Sequence, residues 1–456
     1  MPLADDVIDD DASRTNDVRG SVLDINANSE RLATAYERDQ TLCFTNNSES
    51  LSPLESSPLV GNELQTDKRH DHFTDSQTTA AVSGSASRNE TTKRTTLENI
   101  PGAFSFYIGP TGVSDVHLLL RQLDGVSDAS LDIATGLNVR TVDHIPGQSQ
   151  NSVSTPIIFG VTDGTLIETA EPRAAKSELE RVEFEFWSLL SRKSANHLVR
   201  LYIRFVEPCF SILSPDQIPS TIEGIADISL ALLAGICATS LPFALHEGAL
   251  YPILPSLPKS DRLYRISWSL YCQQLHSPSL ETLQTCLNLQ HNLPTNPVLS
   301  DTAFKWSQMA STVAIAQTIG LHRDPEGWLQ VPEREIKLRR KLWWAMWSME
   351  KWYSLARGMP SHTQSDQFDV GALRPDDLYV GADCSGQRRH PHFQALVSLT
   401  AVLSEVQNEF YTVKAIAITS QNLELSLERA RPLRVRLQQW RDELPDTQGA
   451  SPGAEA

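Results

Sequence analysis

The chain has 456 residues, 40% of them apolar, and a formal net charge of −17. That length allows one large domain or two to three ordinary ones, and the apolar share is slightly low for a chain folded throughout. The acidic balance repels phosphate backbones and lacks the basic clusters of a membrane-surface binder, so the chain as a whole attracts neither nucleic acid nor anionic lipid.

Residues 1–100 are rich in Ser, Thr, Asn and Asp, with sparse apolar residues and no sustained period. Such a stretch buries too little surface to offset its backbone entropy, so an acidic, polar, largely disordered arm is expected, with a marginal helix over 29–38. Residues 101–176 form a partly ordered lead-in. Aromatic residues and a Gly-Pro-Thr-Gly turn run into a short helix over 114–123, and TPIIFGV at 155–161 has strand character.

From residue 177 to 445 the pattern is helical. The stretch 178–190 turns from charged to apolar, and 196–210 carries Leu198, Leu201, Phe205 and Cys209 on one stripe. The apolar run 228–245 contains Ser229, Thr239 and Ser240 and is broken by Pro242, so it reads as a buried core helix over 222–241 and not as a membrane span. Tyr264, Trp268, Tyr271 and Leu275 mark a helix over 261–275. Ser277-Pro278 opens another to His291, with Leu280, Leu283 and Leu287 inward.

A helix over 301–319, capped by Ser300 or Asp301, turns Trp306, Met309, Ala310, Val313 and Ala316 inward. Gly320 suits a left-handed cap, with Leu321 folding back as in a Schellman motif. Pro332, Glu333 and Glu335 open the next helix. From Leu342 that helix is apolar nearly all round, through Trp343, Trp344, Met346, Trp347, Met349 and Trp352, which predicts a central rod ended by Gly358-Met359-Pro360. Leu396, Leu399, Leu403, Val406, Phe410 and Val413 predict one long packing helix. Pro432 kinks or restarts the chain before Leu433, Leu437 and Trp440, and residues 446–456 form a disordered tail.

Chemical constellations are few. The six cysteines, Cys43, Cys209, Cys237, Cys272, Cys286 and Cys384, include no C-x-x-C pair and read as buried reduced thiols. KLRRK at 337–341 has the composition of a nuclear-localisation patch but reads more simply as a solvated helix side, with Lys337, Arg340 and Lys341 outward. Glu350 among Trp and Met needs a cation, Arg323 or Arg357, unless it lies at a rim. His322-Arg323-Asp324 imitates a kinase loop, but Leu329 stands where Asn is required, and neither a Gly-rich phosphate loop nor D-F-G occurs. Cys384, His390 and His392 make an incomplete metal trio. No nucleophile elbow, H-E-x-x-H or P-loop is present, so no catalytic, cofactor or metal residue is assigned and no enzyme is expected. Trp343, Trp347 and Trp352 suit a pocket lining, but at helical spacing they read as core.

The punctuation of these helices resembles the middle homology region of fungal zinc-cluster transcription factors over about residues 101–445. The resemblance rests on HLVRLYIRFVEPCFSILSPDQI, ISLALLAGICA, the Leu283-Gln284 pair in SPSLETLQTCLNLQ, GLHRDPEGW followed by LRRKLWWAMWSMEKWYSLARGMP, and LQQWRDELP. YIGPTGVSDVHLL resembles an element that precedes the domain. Met359 stands where the family commonly has Arg, and Glu350 where it commonly has Asp. The family's motif positions fall on Gly320, Leu321, His322, Arg323, Arg339, Arg340, Trp343, Trp344, Glu350, Gly358 and Pro360, as structural or regulatory residues.

The resemblance implies an all-α, multi-helix bundle after the disordered arm. It implies a nuclear protein that regulates RNA polymerase II transcription, restrained by a metabolite effector or by other transcription regulators. DNA contact in the family needs six clustered cysteines holding two zinc ions. Residues 1–100 hold only Cys43, so no zinc cofactor is expected in this chain. With the early stop after LQQWRDELP, this points to a truncated or reader-less member. The alternatives are a helical scaffold or decoy that pairs with full-length regulators and, further off, an enzyme on an all-α fold.

Overall fold

The computed structural model describes residues 96–98, 103–110, 137–142, 157–163, 176–219, 228–292, 302–378 and 391–444. The chain divides into two units, Met1–Ser87 and Arg88–Ala456, and every described residue lies in the second. The arm beyond 96–98, the helix expected over 114–123, Cys43, Cys384, His390 and the tail lie outside the described residues.

Three short strands, β1 (Ala103–Ile108), β2 (Leu137–Val142) and β3 (Ile157–Asp163), form an antiparallel sheet in the order β1-β3-β2. The strand expected at 155–161 is β3, where Ile157, Ile158 and Phe159 are buried. Its two partners alternate over only a few residues, Phe104-Ser105-Phe106 in β1 and Leu137-Asn138-Val139-Arg140 in β2, and neither was expected as a strand.

Ten α-helices follow among the described residues, and they give the all-α bundle. They are α1 (Lys176–Leu189), α2 (Arg192–Phe205), α3 (Leu230–Ser240), α4 (Ser260–Gln274), α5 (Leu280–Leu289), α6 (Thr302–Thr318), α7 (Glu333–Arg357), α8 (Pro391–Val406), α9 (Val413–Thr419) and α10 (Leu423–Glu443). Local chemistry sets most of their ends. The Ser191 hydroxyl accepts the Ser194 amide at 3.0 Å to start α2. The α5 cap is Ser279, in a box with Thr282, two residues later than the Ser277-Pro278 start expected from sequence. Gly320 at φ 76° closes α6. The Leu321 amide donates to Ala316 O at 2.9 Å and the Gly320 amide to Gln317 O at 3.0 Å, the two bonds of a Schellman cap. Gly358, at φ 63°, ends α7 in the same hand.

Two expected helices are shorter than their apolar stripes. α2 stops at Phe205 because the chain must turn before Pro208, and this leaves Cys209 exposed instead of buried. The long helix through Val413 divides. α8 ends at Val406, a π-turn spans Gln407–Tyr411, and the Thr412 side chain caps α9, so Val413 stands 83% exposed. Pro432, by contrast, lies inside a continuous α10.

The core gathers α2, α3, α5, α6 and α7 around side chains such as Leu198, Leu232, Leu283, Met309 and Trp343. α3 is apolar on every side and buried. Among the described residues no single helix is long and apolar enough to cross a membrane. α7 packs against α5, α6 and α8, the central place its tryptophans predict.

Candidate functional site

The residues that carry the family motif converge on α7 and on the loops it holds. The first half of α7 does not present a solvated basic side. Within the KLRRK run, Arg339, Arg340 and Lys341 are each 3% exposed or less, and only Lys337 reaches water, beside Glu333; Arg334, one turn earlier, is exposed and paired with Asp216. The sequence reading of this run as solvent-facing is overturned. It treated the charges as unpaired, and the fold brings a carboxylate to each. Buried ions are tolerated only with such partners.

Arg339 spends its guanidinium on three elements. Its Nε donates to Glu335 Oε1 at 2.9 Å, Nη1 to Ile319 O at the end of α6 at 2.8 Å, and Nη2 to Glu98 Oε1 at 3.2 Å. The second oxygen of Glu98 accepts the Leu280 amide at 3.0 Å, at the start of α5. Thr96 donates to Glu335, and Leu97 is buried against Phe159 and Trp328. Residues 96–98, which composition places in the arm, therefore dock on α7. Burial pushes the Glu98 carboxyl from 4.5 up to about 7, although Arg339 pulls it down.

Arg340 donates to both oxygens of Asp377, at 3.0 and 3.1 Å, and lies 3.7 Å from Asp324. Lys341 donates to Leu213 O and lies 3.7 Å from Glu207. Glu207 belongs to the EPCFSIL turn and is fully buried. It accepts the Ser211 hydroxyl at 2.7 Å and the Ile212 and Leu213 amides. Burial drives the Glu207 pKa up and the Lys341 pKa down, and each charge opposes the other's shift. Gln284, of the Leu-Gln pair, donates to Ile212 O and to Gln217, completing the same turn.

The sheet packs on the GLHRDPEGW turn. Tyr107 meets His322 edge-on at 4.7 Å and accepts from Arg323 at 3.3 Å. Phe159 stacks edge-on with Trp328, and the Arg339 guanidinium lies 5.8 and 5.7 Å from those two rings. Burial lowers the His322 pKa to about 4, and the neighbouring Arg323 charge adds to this, so the ring is neutral near pH 7. The Arg323-Asp324 pair contacts Asp369, with Arg323 Nη2 at 3.0 Å.

Glu350 is fully buried, but neither Arg323 nor Arg357 reaches it and it does not lie at a rim. Its carboxylate accepts the His362 amide at 2.6 Å, Thr363 Oγ1 at 2.9 Å and Ser361 Oγ at 3.0 Å, with Lys351 at 3.8 Å. Sequence reasoning looked for a cation, whereas a turn of hydroxyls and amides satisfies a carboxylate equally well. Arg357 instead stacks on Tyr353 at 4.2 Å. Trp343 and Trp347 are core, Trp344 Nε1 donates to Gly371 O at 2.8 Å, and Trp352 Nε1 donates to Thr400. Gly358 and Pro360 lie exposed at the stop, where Met359 O accepts from Ser354.

The partners Glu98, Glu207, Asp377 and Lys351 were missed. The one legible sequence signal was Glu207, a carboxylate four residues before Ser211 in a proline turn. Among the described residues no cluster of His, Cys, Asp and Glu has metal-binding form, and His392 stands exposed. The site is thus a row of buried charges on one helix, each tying a different loop to the core. That arrangement positions segments.

A predominantly helical bundle with a tethering central helix defines the class, and the comparisons supply the family. The profile of the fungal specific transcription factor domain matches residues 199–442, and the chain belongs to that family. It is similar to an uncharacterised transcriptional regulatory protein of Schizosaccharomyces pombe, 23% identical over 70% of this chain and 46% of the relative. It is also similar to the transcriptional activator protein DAL81 of Saccharomyces cerevisiae, 25% identical over 75% and 37% respectively, and to the cutinase transcription factor 1 beta of Fusarium vanettenii, 25% identical over 41% and 21%. The chain thus spans less than half the length of these relatives. No solved structure gives a significant match.

Proposed function

We propose that this chain supplies the regulatory region of a nuclear transcription regulator, acting by conformational restraint and not by catalysis. The observation that carries the reading is the buried charge row of α7. Arg339, Arg340, Lys341 and Glu350 each hold a different segment, at 96–98, 375–378, 207–213 and 361–363. A metabolite or a partner regulator that competes for one of these ties favours a packing in which that segment is free. The two packings then differ by the ligand's differential affinity. Contact with DNA is assigned to a zinc-cluster domain outside this sequence or to a partner that carries one.

The test fuses residues 1–456 to a heterologous DNA-binding domain and reads a reporter gene. Releasing the 361–363 turn with Glu350→Gln, or the 375–378 turn with Asp377→Asn, changes reporter output at equal protein level. Output identical to wild type for both variants, with folding intact, rules the reading out.

A further inference from the structure

Residues 96–98 form a short strap across α7, the sheet and the start of α5. The Thr96 hydroxyl donates to Glu335 Oε2 on α7 at 2.6 Å and accepts the Glu98 amide at 2.9 Å. The Leu97 amide donates to the same Glu335 oxygen at 3.3 Å, and Leu97 O accepts from Ser105 of β1 at 2.6 Å. Thr96 O accepts from Arg140 of β2 at 3.0 Å. Leu97 is buried and Thr96 half-buried, so a single hydroxyl stands between the strap and the buried Glu335 carboxylate.

That hydroxyl is the point at which the strap can be switched. The sequence there reads KRTTL over 93–97: two cations, one spacer, Thr96 and the apolar Leu97. Cations two and three residues before the acceptor, with an apolar residue after it, suit a protein kinase whose substrate groove has an acidic rim and an apolar pocket. We infer that Thr96 is a phosphorylation site for a kinase of this basophilic class, and that the phosphate holds the strap off α7. The docked hydroxyl is engaged by Glu335 and Leu97 is buried, so the kinase acts on the undocked strap. The Thr96 oxygen attacks the γ-phosphorus of ATP. The new O–P bond forms as the bond to the bridging oxygen breaks, ADP leaves with the electron pair, and the hydroxyl proton passes to a base of the kinase. The product cannot dock again on the same terms. A phosphate dianion accepts hydrogen bonds and donates none, and it brings about two negative charges against Glu335. Arg339 cannot absorb them, because its guanidinium is already divided among Glu335, Glu98 and Ile319 O. Phosphorylation therefore shifts the population toward the released strap. This rests on the reading above of the 96–98 tie as part of the restraint.

The test treats the full chain with the catalytic subunit of cyclic-AMP-dependent protein kinase and ATP. Mass spectrometry maps the phosphate, and amide hydrogen exchange follows two strap bonds, from Leu97 to Glu335 and from Leu280 to Glu98. Phosphate is expected on Thr96, and the Leu97 and Leu280 amides then exchange about tenfold faster or more, with α3 unchanged. Thr96→Val keeps the side-chain shape without the hydroxyl, and kinase treatment leaves its exchange at both amides as it was, even where other residues take phosphate. Absence of phosphate from Thr96 overturns the inference. So does phosphate on Thr96 with unchanged exchange at Leu97 and Leu280, or a kinase-dependent change that persists in Thr96→Val. None of these results bears on the reporter test, which reads the 361–363 and 375–378 turns, so the two readings fail separately.

Discussion

α7 and α10 are the longest helices among the described residues, at 25 and 21 residues, and they bury opposite things. α7 turns Arg339, Arg340, Lys341, Glu350 and Lys351 inward, while α10 turns Leu423, Leu427 and Val435 out. Neither distribution follows from hydropathy alone. On α7 the ions are buried because loops deliver carboxylates, hydroxyls and amides to meet them. On α10 the apolar residues are bare because α8 covers only one side. Burial of a charge is set by its partners, and exposure of a leucine by the reach of its neighbours.

The largest effect expected from breaking this contrast is at Lys341. Lys341→Met leaves Glu207 buried without its cation and costs about 3–5 kcal/mol, read by denaturant unfolding of the full chain. The double variant Lys341→Met/Glu207→Gln loses less than the single one. An equal or larger loss would show that the two charges are not coupled.

A smaller effect sharpens the role of the turn that α7 holds. At Gly320 a Cβ would sit 2.9 Å from the Phe159 ring, at φ +76°, whereas at Gly358 it meets nothing within 4 Å, at φ +63°. Gly358→Ala therefore costs only the left-handed strain of about 1–2 kcal/mol. Gly320→Ala costs more, because the sheet must also shift. Thermal or denaturant midpoints of the two variants give the order directly.

The tie at Glu98 predicts a pH response. Its folded pKa, about 7 against an ordinary 4.5, means that the folded chain holds this proton more tightly than the unfolded chain. Its contribution is therefore most favourable below 4.5 and declines as pH rises to about 7. Glu98→Gln removes that slope and leaves the remainder of the pH profile, as measured by unfolding midpoints on either side of the interval. A slope of undiminished size in the variant would assign it to another group. The smallest effect falls on α10, where Arg431→Glu/Arg434→Glu shifts the unfolding free energy of the single chain by no more than about 0.5 kcal/mol.

Much of the fold was legible because its signals are local. Gly320-Leu321 and Gly358 stop their helices through bonds that span five residues or fewer, and the tryptophan spacing on α7 marks its central place. The site was legible only in part. Arg339 and Arg340 were recognised as motif residues, but their partners lie 241 and 37 residues away, and Glu98 sits in a stretch whose composition reads as arm. β1 and β2 alternate over only a few residues each, too short a signal to mark a strand before β3 is seen to pair with both.

By itself the sequence determined which stretches form helices, where α6 and α7 stop and which helix occupies the middle, because glycine stops and apolar periods act over one or two turns. Only the tertiary structure decided the fate of the charges. It buried Arg339, Arg340 and Lys341, gave Glu350 a turn of hydroxyls in place of an arginine, and, among the described residues, left one side of α10 uncovered. Long-range electrostatics and packing depend on which distant segments arrive together, and no local pattern encodes that.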